Sequence, residues 1–266
     1  MNGIILAAVV VGGTGLMIAV LLCVASEKFK VPVDEKEIAV RECLPGNNCG
    51  GCGYAGCDGL AKAIVAGEAP VGACPVGGAP VAEQIASIMG VEAGSSEKQV
   101  AFVKCAGTCD KAKNKYIYSG NEDCISAVSV PGGGPKACEY GCMGFGSCVK
   151  VCDFDAIHVV DGIAVVDPEK CVACGKCIAT CPRSLIELIP YTTSKEGVKV
   201  HCSSRGFGKP VKEVCSVGCI GCKMCTRVCE SGAITVENNI AHIDYSKCTN
   251  CGACAEKCPS KIIYTV

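Results

Sequence analysis

Residues 219–229 read Cys-Ile-Gly-Cys-Lys-Met-Cys-Thr-Arg-Val-Cys, and this stretch decides how the chain must fold. Its pattern, Cys-x2-Cys-x2-Cys-x3-Cys, brings three thiolates to one tight turn and sends the fourth to a neighbouring site. Forms of the same run begin at Cys142, Cys171, Cys219 and Cys248. The second lies 29 residues after the first, the fourth lies 29 after the third, and the second pair lies 77 after the first pair. The spacing predicts two successive units that bind [4Fe–4S] clusters.

The ligands of these clusters follow from the crossing seen in two-cluster ferredoxins, which the runs resemble. In one run Phe145 stands where the middle cysteine is expected, and Cys138 is the predicted substitute. In residues 211–266 the predicted ligands of one cluster are Cys219, Cys222, Cys225 and Cys258, and those of the other are Cys229, Cys248, Cys251 and Cys254. In residues 136–190 the predicted ligands of one cluster are Cys152, Cys171, Cys174 and Cys177, and those of the other are Cys138, Cys142, Cys148 and Cys181.

Each of the two units also contains a predicted β-hairpin between its cysteine runs. Residues 156–160 and 163–166 flank Asp161-Gly162, a dipeptide typical of tight turns. Residues 233–236 and 240–243 flank a Glu-Asn-Asn turn in the second unit. The repeat therefore extends from the ligands to the intervening strands.

A different cysteine motif lies nearer the N-terminus, where residues 44–57 read Leu-Pro-Gly-Asn-Asn-Cys-Gly-Gly-Cys-Gly-Tyr-Ala-Gly-Cys. With the later Cys74, it gives the spacing Cys-x2-Cys-x4-Cys-x16-Cys, and its glycines allow the backbone to bend around a bulky anion. It predicts a fifth [4Fe–4S] cluster, with tetrahedral zinc as the alternative. The ligands are Cys49, Cys52, Cys57 and Cys74.

This motif resembles the N-terminal Fe–S domain of the B subunit of the Rnf electron-transport complex. The order of parts agrees with that family, because an apolar segment precedes the motif and ferredoxin units follow it. Corrinoid iron–sulfur proteins have a similar motif, but this chain has no room for their cobalamin-binding barrel.

The apolar segment runs from Ile4 to Ala25, 22 residues without a charge, which is long enough to span a membrane as a helix. A signal peptide is the alternative, but the segment lacks a basic start and an Ala-x-Ala site. Lys28 and Lys30 follow it directly. The positive-inside rule then predicts a single-pass protein of the cell membrane, with the bulk of the chain on the cytoplasmic side.

The 27 cysteines also raise the possibility of a secreted disulfide scaffold. Disulfides do not require the repeated short spacing, whereas a cluster does, so a reducing compartment is expected. Seven cysteines have no predicted ligand role. For five of them two interpretations stay open: they bind a sixth cluster, or they are buried free thiols. These are Cys105, Cys109, Cys124, Cys202 and Cys215. Cys23 and Cys43 are expected to be structural.

Charge and motif content restrict the function to electron transfer. Residues 195–266 carry 10 basic and 6 acidic side chains, a net charge of +4, which would attract an acidic soluble ferredoxin. No nucleotide-binding motif, acid–base pair or catalytic nucleophile is visible, so no catalytic residue and no nucleic-acid partner are expected. The candidate docking residues are Lys209, Lys212, Lys223 and Arg227.

The predicted fold class is α+β, with an N-terminal transmembrane helix, a small helical Fe–S domain and two tandem dicluster ferredoxin-like modules. The resemblance implies a subunit of an ion-translocating oxidoreductase that takes electrons from ferredoxin and passes them to membrane and peripheral subunits. Na⁺ and H⁺ both stay open as the coupling ion. The alternatives are a redox sensor or maturation scaffold, and a subunit of another membrane reductase or hydrogenase. The predicted divisions are 1–26 (anchor), 27–90 (four-cysteine domain), 91–135 (insert), 136–190 (first module), 191–210 (linker) and 211–266 (second module).

Overall fold

The computed structural model describes residues 2–28, 34–94 and 97–265, and over these ranges the chain mixes helices with short strands. The strands pair into two-stranded antiparallel sheets. The helices are α1 (Asn2–Lys28), α2 (Glu35–Cys43), α3 (Gly56–Val65), α4 (Gly78–Met89), α5 (Cys124–Ser129), α6 (Ser147–Lys150), α7 (Lys176–Thr180), α8 (Tyr191–Glu196), α9 (Lys209–Val214), α10 (Met224–Arg227) and α11 (Ala253–Glu256). The strands are β1 (Gln99–Val103), β2 (Ile157–Val160), β3 (Ile163–Val166), β4 (Ile186–Pro190), β5 (Lys199–Val200), β6 (Ile234–Glu237), β7 (Ile240–Ile243) and β8 (Ile263–Tyr264).

Helix α1 occupies the apolar N-terminal segment. Over the described part of the chain, no helix combines the length and the apolarity that a membrane crossing requires. The side chains of residues 2–9 lie outside that described part. The anchor that the sequence predicts at residues 4–25 stays a prediction.

Helices α2, α3 and α4 form the N-terminal helical domain. Asp34 caps α2, because its Oδ1 accepts a hydrogen bond of 2.9 Å from the Lys36 N–H. Val40, Leu60 and Ile85, one from each helix, are fully buried in one apolar core. Of the cysteines of the first motif, Cys49, Cys52 and Cys74 lie in the two loops that join the helices, and Cys57 lies at the start of α3.

The two ferredoxin-like modules share one plan, and both predicted hairpins are confirmed. Strands β2 and β3 pair in register from Ile157 opposite Val166, and β6 and β7 repeat this arrangement. Asp161 and Gly162 have φ angles of +48° and +76°, as a tight hairpin turn of this kind requires. In each module the last strand pairs with a strand that precedes the module, β4 with β1 and β8 with β5. The predicted linker therefore contributes a strand to the second module.

The insert connects the two modules through its backbone. The Cys109 N–H donates to the Asp161 carbonyl in the first module, at 2.9 Å. Toward the second module, the Ala106 and Lys113 N–H groups donate to the carbonyls of His201 and Val214, both at 2.9 Å. The insert is thus a packed layer between the modules and fixes their relative position.

Candidate iron–sulfur centres

Site 1 comprises Cys49, Cys52, Cys57 and Cys74 of the N-terminal helical domain. Burial raises the pKa of Cys74, and the nearby thiols of Cys57 and Cys52 raise it further. The Gly77 N–H donates to the Cys74 Sγ at 3.3 Å. Asn48 fastens the loop, since its Oδ1 accepts from the Cys57 N–H at 2.8 Å. Cys49 belongs to the same loop and also lies close enough to Cys174 in the first module to raise the pKa of that thiol.

Site 2 comprises Cys152, Cys171, Cys174 and Cys177, which line one cavity in the first module. Burial raises the pKa of Cys177 to about 11, and the other three thiols add to the rise. Two backbone N–H groups point at sulfur, from Ala101 to the Cys171 Sγ at 3.3 Å and from Ala156 to the Cys152 Sγ at 3.4 Å. The set is the one that the sequence predicts.

Site 3 comprises Cys142, Cys148 and Cys181 together with Cys124, which line a second cavity in the first module. The pKa of Cys148 is raised to about 12, mainly by burial and in addition by Cys142, Cys124 and Cys181. The structure therefore places Cys124, and not Cys138, beside the other three. This differs from the ligand set that the sequence predicts.

The reason lies at the N-terminus of helix α5. Asp123 caps this helix by accepting from the N–H groups of Ile125 and Ser126, and its Oδ1 accepts from the Ser147 hydroxyl at 2.6 Å. The Ser147 Oγ in turn accepts from the Cys124 N–H at 2.8 Å. This short network fixes α5 to the start of α6 and places Cys124 at the cavity. Because these contacts are tertiary, cysteine spacing gives no sign of them.

We expect a Cys124→Ser variant to lose an iron from site 3, because the serine hydroxyl is a poorer iron ligand than a thiolate. Electron paramagnetic resonance (EPR) of the oxidised, anaerobically purified protein should then show a three-iron signal. The matched control is Cys109→Ser, because Cys109 is exposed and lines neither the site 2 nor the site 3 cavity. An unchanged spectrum and iron content in Cys124→Ser would contradict the assignment.

Site 4 comprises Cys105, Cys138, Cys202 and Cys215, which line one cavity between the insert and the two modules. Burial raises the pKa of Cys138, and Cys105 and Cys215 raise it further. Burial also raises the pKa of Cys202 to about 12. The cysteines come from four separate segments of the chain. Cys138 therefore lies outside the set predicted for it. It lines this cavity together with three of the cysteines that have no role assigned from the sequence.

Sites 5 and 6 belong to the second module. Site 5 comprises Cys219, Cys222, Cys225 and Cys258, which line one cavity. Site 6 comprises Cys229, Cys248, Cys251 and Cys254. Burial raises the pKa of Cys254, and the nearby thiols of Cys248 and Cys229 also raise it. Cys222 and Cys251 are exposed to solvent. This end of the molecule therefore presents thiols at the surface, whereas Cys202 and Cys215 of site 4 are buried.

The cysteine sets suit [4Fe–4S] clusters. Buried thiols that repel one another as anions stay protonated when no cation is present, and an iron cluster bound to their sulfurs would hold them as thiolates. Backbone N–H groups already point at several Sγ atoms, as they do around clusters. Within the described ranges, no three or more His, Cys, Asp or Glu side chains converge tightly enough to hold a single metal ion. A [4Fe–4S] cluster binds each of its four thiolates through a different iron. Its cysteines are therefore expected to surround a cavity, and they need not converge on a single point.

Hydrogen bonds and close packing join the sites into a series. Gly51 of the site 1 loop packs directly on the backbone of Cys174, a site 2 residue. The Cys142 N–H of site 3 donates to the Cys105 Sγ of site 4 at 3.3 Å. On the other side of site 4, the Cys219 N–H of site 5 donates to the Cys202 Sγ at 3.4 Å. Site 4 is therefore in direct contact with both modules.

The four basic residues proposed from the sequence lie in or next to helices α9 and α10. Lys209, Lys223 and Arg227 are exposed, and Lys223 borders the site 5 cavity. Lys212 is half-buried, and its Nζ donates to the Ser216 carbonyl at 2.6 Å, so it helps to close the end of α9. Three of the four side chains are thus free to meet a partner, and the fourth also has a local role.

Three family models match the chain. An Fe–S cluster domain matches residues 44–76, a 4Fe-4S binding domain matches residues 164–187, and a 4Fe-4S dicluster domain matches residues 218–262. These ranges contain all the cysteines of sites 1, 5 and 6. Site 4 lies outside all three.

Several curated relatives match over nearly the whole chain. The B subunit of the Na(+)-translocating ferredoxin:NAD(+) oxidoreductase complex of Acetobacterium woodii is 47% identical over 264 residues, 99% of this chain and 78% of the relative. The B subunit of the ion-translocating oxidoreductase complex of Methanosarcina acetivorans is 44% identical, over 96% of this chain and 95% of the relative. The B subunit of the proton-translocating ferredoxin:NAD(+) oxidoreductase complex of Clostridium ljungdahlii is 40% identical, over 100% and 94%.

Proposed function

Because the chain belongs to the Rnf complex B subunits, a family of iron–sulfur electron-transfer subunits, we propose that it takes electrons from reduced ferredoxin. It passes them along six [4Fe–4S] sites to other subunits of an ion-translocating ferredoxin:NAD oxidoreductase complex. Each bound cluster would supply a one-electron acceptor, with a potential set by the charges and hydrogen bonds around it.

The observation that carries this proposal is the position of site 4 between the modules. Cys105 accepts a hydrogen bond from a site 3 residue, and Cys202 accepts one from a site 5 residue. Without a cluster at this site, the clusters of the two modules would be separated by the insert with no cluster between them. Six sites hold about 24 irons, and five hold about 20, at four irons for each cluster.

The direction of transfer follows from exposure and charge. Cys222 and Cys251 reach the surface of the second module, where the net charge is positive, so an acidic ferredoxin docks there. Site 1 is at the opposite end of the series, in the domain that follows the apolar segment. We propose that residues 4–25 anchor the chain in the membrane, with the bulk of the chain in the cytoplasm. The support is an uncharged length of 22 residues and the basic residues that follow it.

Charge reversal tests the docking surface. Changing Lys223 and Arg227 to Glu should lower the rate of ferredoxin oxidation by about tenfold or more at low ionic strength, because electrostatic steering is lost. Changing Lys209 and Lys212 as well should extend the loss. The difference from the unmodified protein should shrink as salt is added, since exposed charges are screened. The measurement is the rate of electron transfer from reduced ferredoxin across a salt series.

The matched control reverses Lys36 and Lys62, which are exposed on the N-terminal helical domain and change the net charge by the same amount. It should leave both the rate and its salt dependence nearly unchanged. Equal effects from the two pairs would show that only net charge matters, and would remove the docking surface from the proposal.

A further inference from the structure

Two cations, one buried and one half-buried, lie between sites 3 and 4. The first is Lys136, a residue that is only 4% exposed. Its Nζ donates to the Gly107 carbonyl at 2.5 Å and to the Gly162 carbonyl at 3.0 Å. Gly107 is two residues after Cys105 of site 4. Gly162 packs against Gly144, two residues after Cys142 of site 3, so the ammonium bridges the loops of both sites.

The second cation is Arg183, which is half-buried two residues after Cys181 of site 3. Its guanidinium donates to the Cys138 carbonyl at 3.0 Å and to the Gly141 carbonyl at 2.5 Å. Cys138 belongs to site 4, and Gly141 precedes Cys142 of site 3. Arg183 therefore ties the segment after Cys181 of site 3 to the loop of residues 138–141, which carries Cys138 of site 4.

Neither cation has a carboxylate to balance it. Within the described residues, Lys136 and Arg183 take part in none of the ion pairs. A buried charge without a counter-ion is strongly destabilising. The ionisable groups beside Lys136 are thiols: burial raises the pKa of Cys215 and of Cys142, and Lys136 is among the groups that oppose the rise at both. The counter-charge that this arrangement calls for is the net negative charge of the two clusters.

We propose that Lys136 and Arg183 raise the reduction potentials of sites 3 and 4, so that electrons collect at the middle of the series. The inference depends on the proposed function, since it assumes clusters at both sites. Adding an electron makes a cluster more negative, and a fixed positive charge in a poorly solvated region favours that state. At two of the other sites the cations are balanced or exposed: Lys176, beside site 2, is paired with Asp153, and Lys223, beside site 5, is exposed. Solvent and counter-ions weaken their effect.

The test is an EPR-monitored redox titration of the full-length, iron-replete protein and a Lys136→Gln variant, which keeps a hydrogen-bond donor but loses the charge. For about two of the six clusters, the ratio of reduced to oxidised form at a fixed potential should fall roughly tenfold. For a one-electron couple this equals about 59 mV. Lys136→Arg, which keeps the charge, should restore the original potentials. Lys113→Met, on an exposed lysine of the same insert, should leave them unchanged.

Unchanged potentials in a fully iron-loaded Lys136→Gln protein would overturn the proposal. If that variant loses iron, Arg183→Gln takes its place, and unchanged potentials there have the same meaning. Failure of the proposed function would look different, because an unmodified protein with about 20 irons would lack one of the six clusters altogether.

Discussion

Replacing Cys202 by serine should divide the electron pathway into two parts that no longer communicate. Cys202 is buried in site 4, and its Sγ accepts hydrogen bonds from the N–H groups of Ser204 and Cys219, both at 3.4 Å. Serine cannot supply the thiolate, and the three remaining cysteines of site 4 come from three separate segments, so this site should lose its whole cluster while the flanking modules keep theirs. Iron content should fall from about 24 to about 20 atoms per chain.

Rapid-freeze EPR after mixing with reduced ferredoxin would measure the break. In the unmodified protein, clusters from both modules should become reduced, whereas in Cys202→Ser the fast reduction should stop at the two sites of the second module. Cys105→Ser should give the same result, because Cys105 holds the other side of site 4, and Cys109→Ser should behave as unmodified. Full iron content or uninterrupted transfer in both site 4 variants would contradict the six-site series.

The parts of this arrangement that sequence predicts are the local ones. A Cys-x2-Cys-x2-Cys run fixes three thiols within one turn, so spacing alone indicates the loops of sites 2, 5 and 6. The hairpins are equally local, since each has two short, mainly apolar segments on either side of turn residues, Asp161-Gly162 in the first and Glu-Asn-Asn at 237–239 in the second. These features need no knowledge of which segments meet in space.

Sites 3 and 4 are assembled by tertiary contacts, and spacing is a poor guide to them. Phe145 shows that a ligand is missing, and Cys138 is the nearest cysteine along the chain that the runs leave unassigned. The contact of Asp123 with Ser147 brings in Cys124, which is farther away in sequence. Once Cys124 fills site 3, Cys138 is free to join site 4. One local network of hydrogen bonds thus decides the composition of two sites.

Gly51 is where a single methyl group should interrupt transfer between site 2 and site 1. A Cβ at this position would lie 2.9 Å from the carbonyl oxygen of Cys174 and 3.0 Å from its Cα. These are backbone atoms of a cluster-binding loop and cannot move aside cheaply. Gly51→Val should therefore push the two loops apart, with a loss of stability of about 1–3 kcal/mol, as is typical of overpacking. All six sites should keep their iron, because Gly51 supplies no ligand.

The measurement is the number of clusters reduced in the fast phase, which should fall from six to five in Gly51→Val, with Gly51→Ala intermediate in rate. Gly59→Ala is the matched control: it lies in helix α3 of the same domain, and its added Cβ would meet Tyr54 at an ordinary 3.8 Å. Fast reduction of all six clusters in both Gly51 variants would mean that site 1 receives electrons by another route. If the clusters of sites 1 and 2 were both missing from the fast phase, the weak point would instead lie between sites 2 and 3. The Gly51 variants thus separate the effect of distance at this junction from the effect of losing a ligand, because they change the packing and leave every cysteine in place.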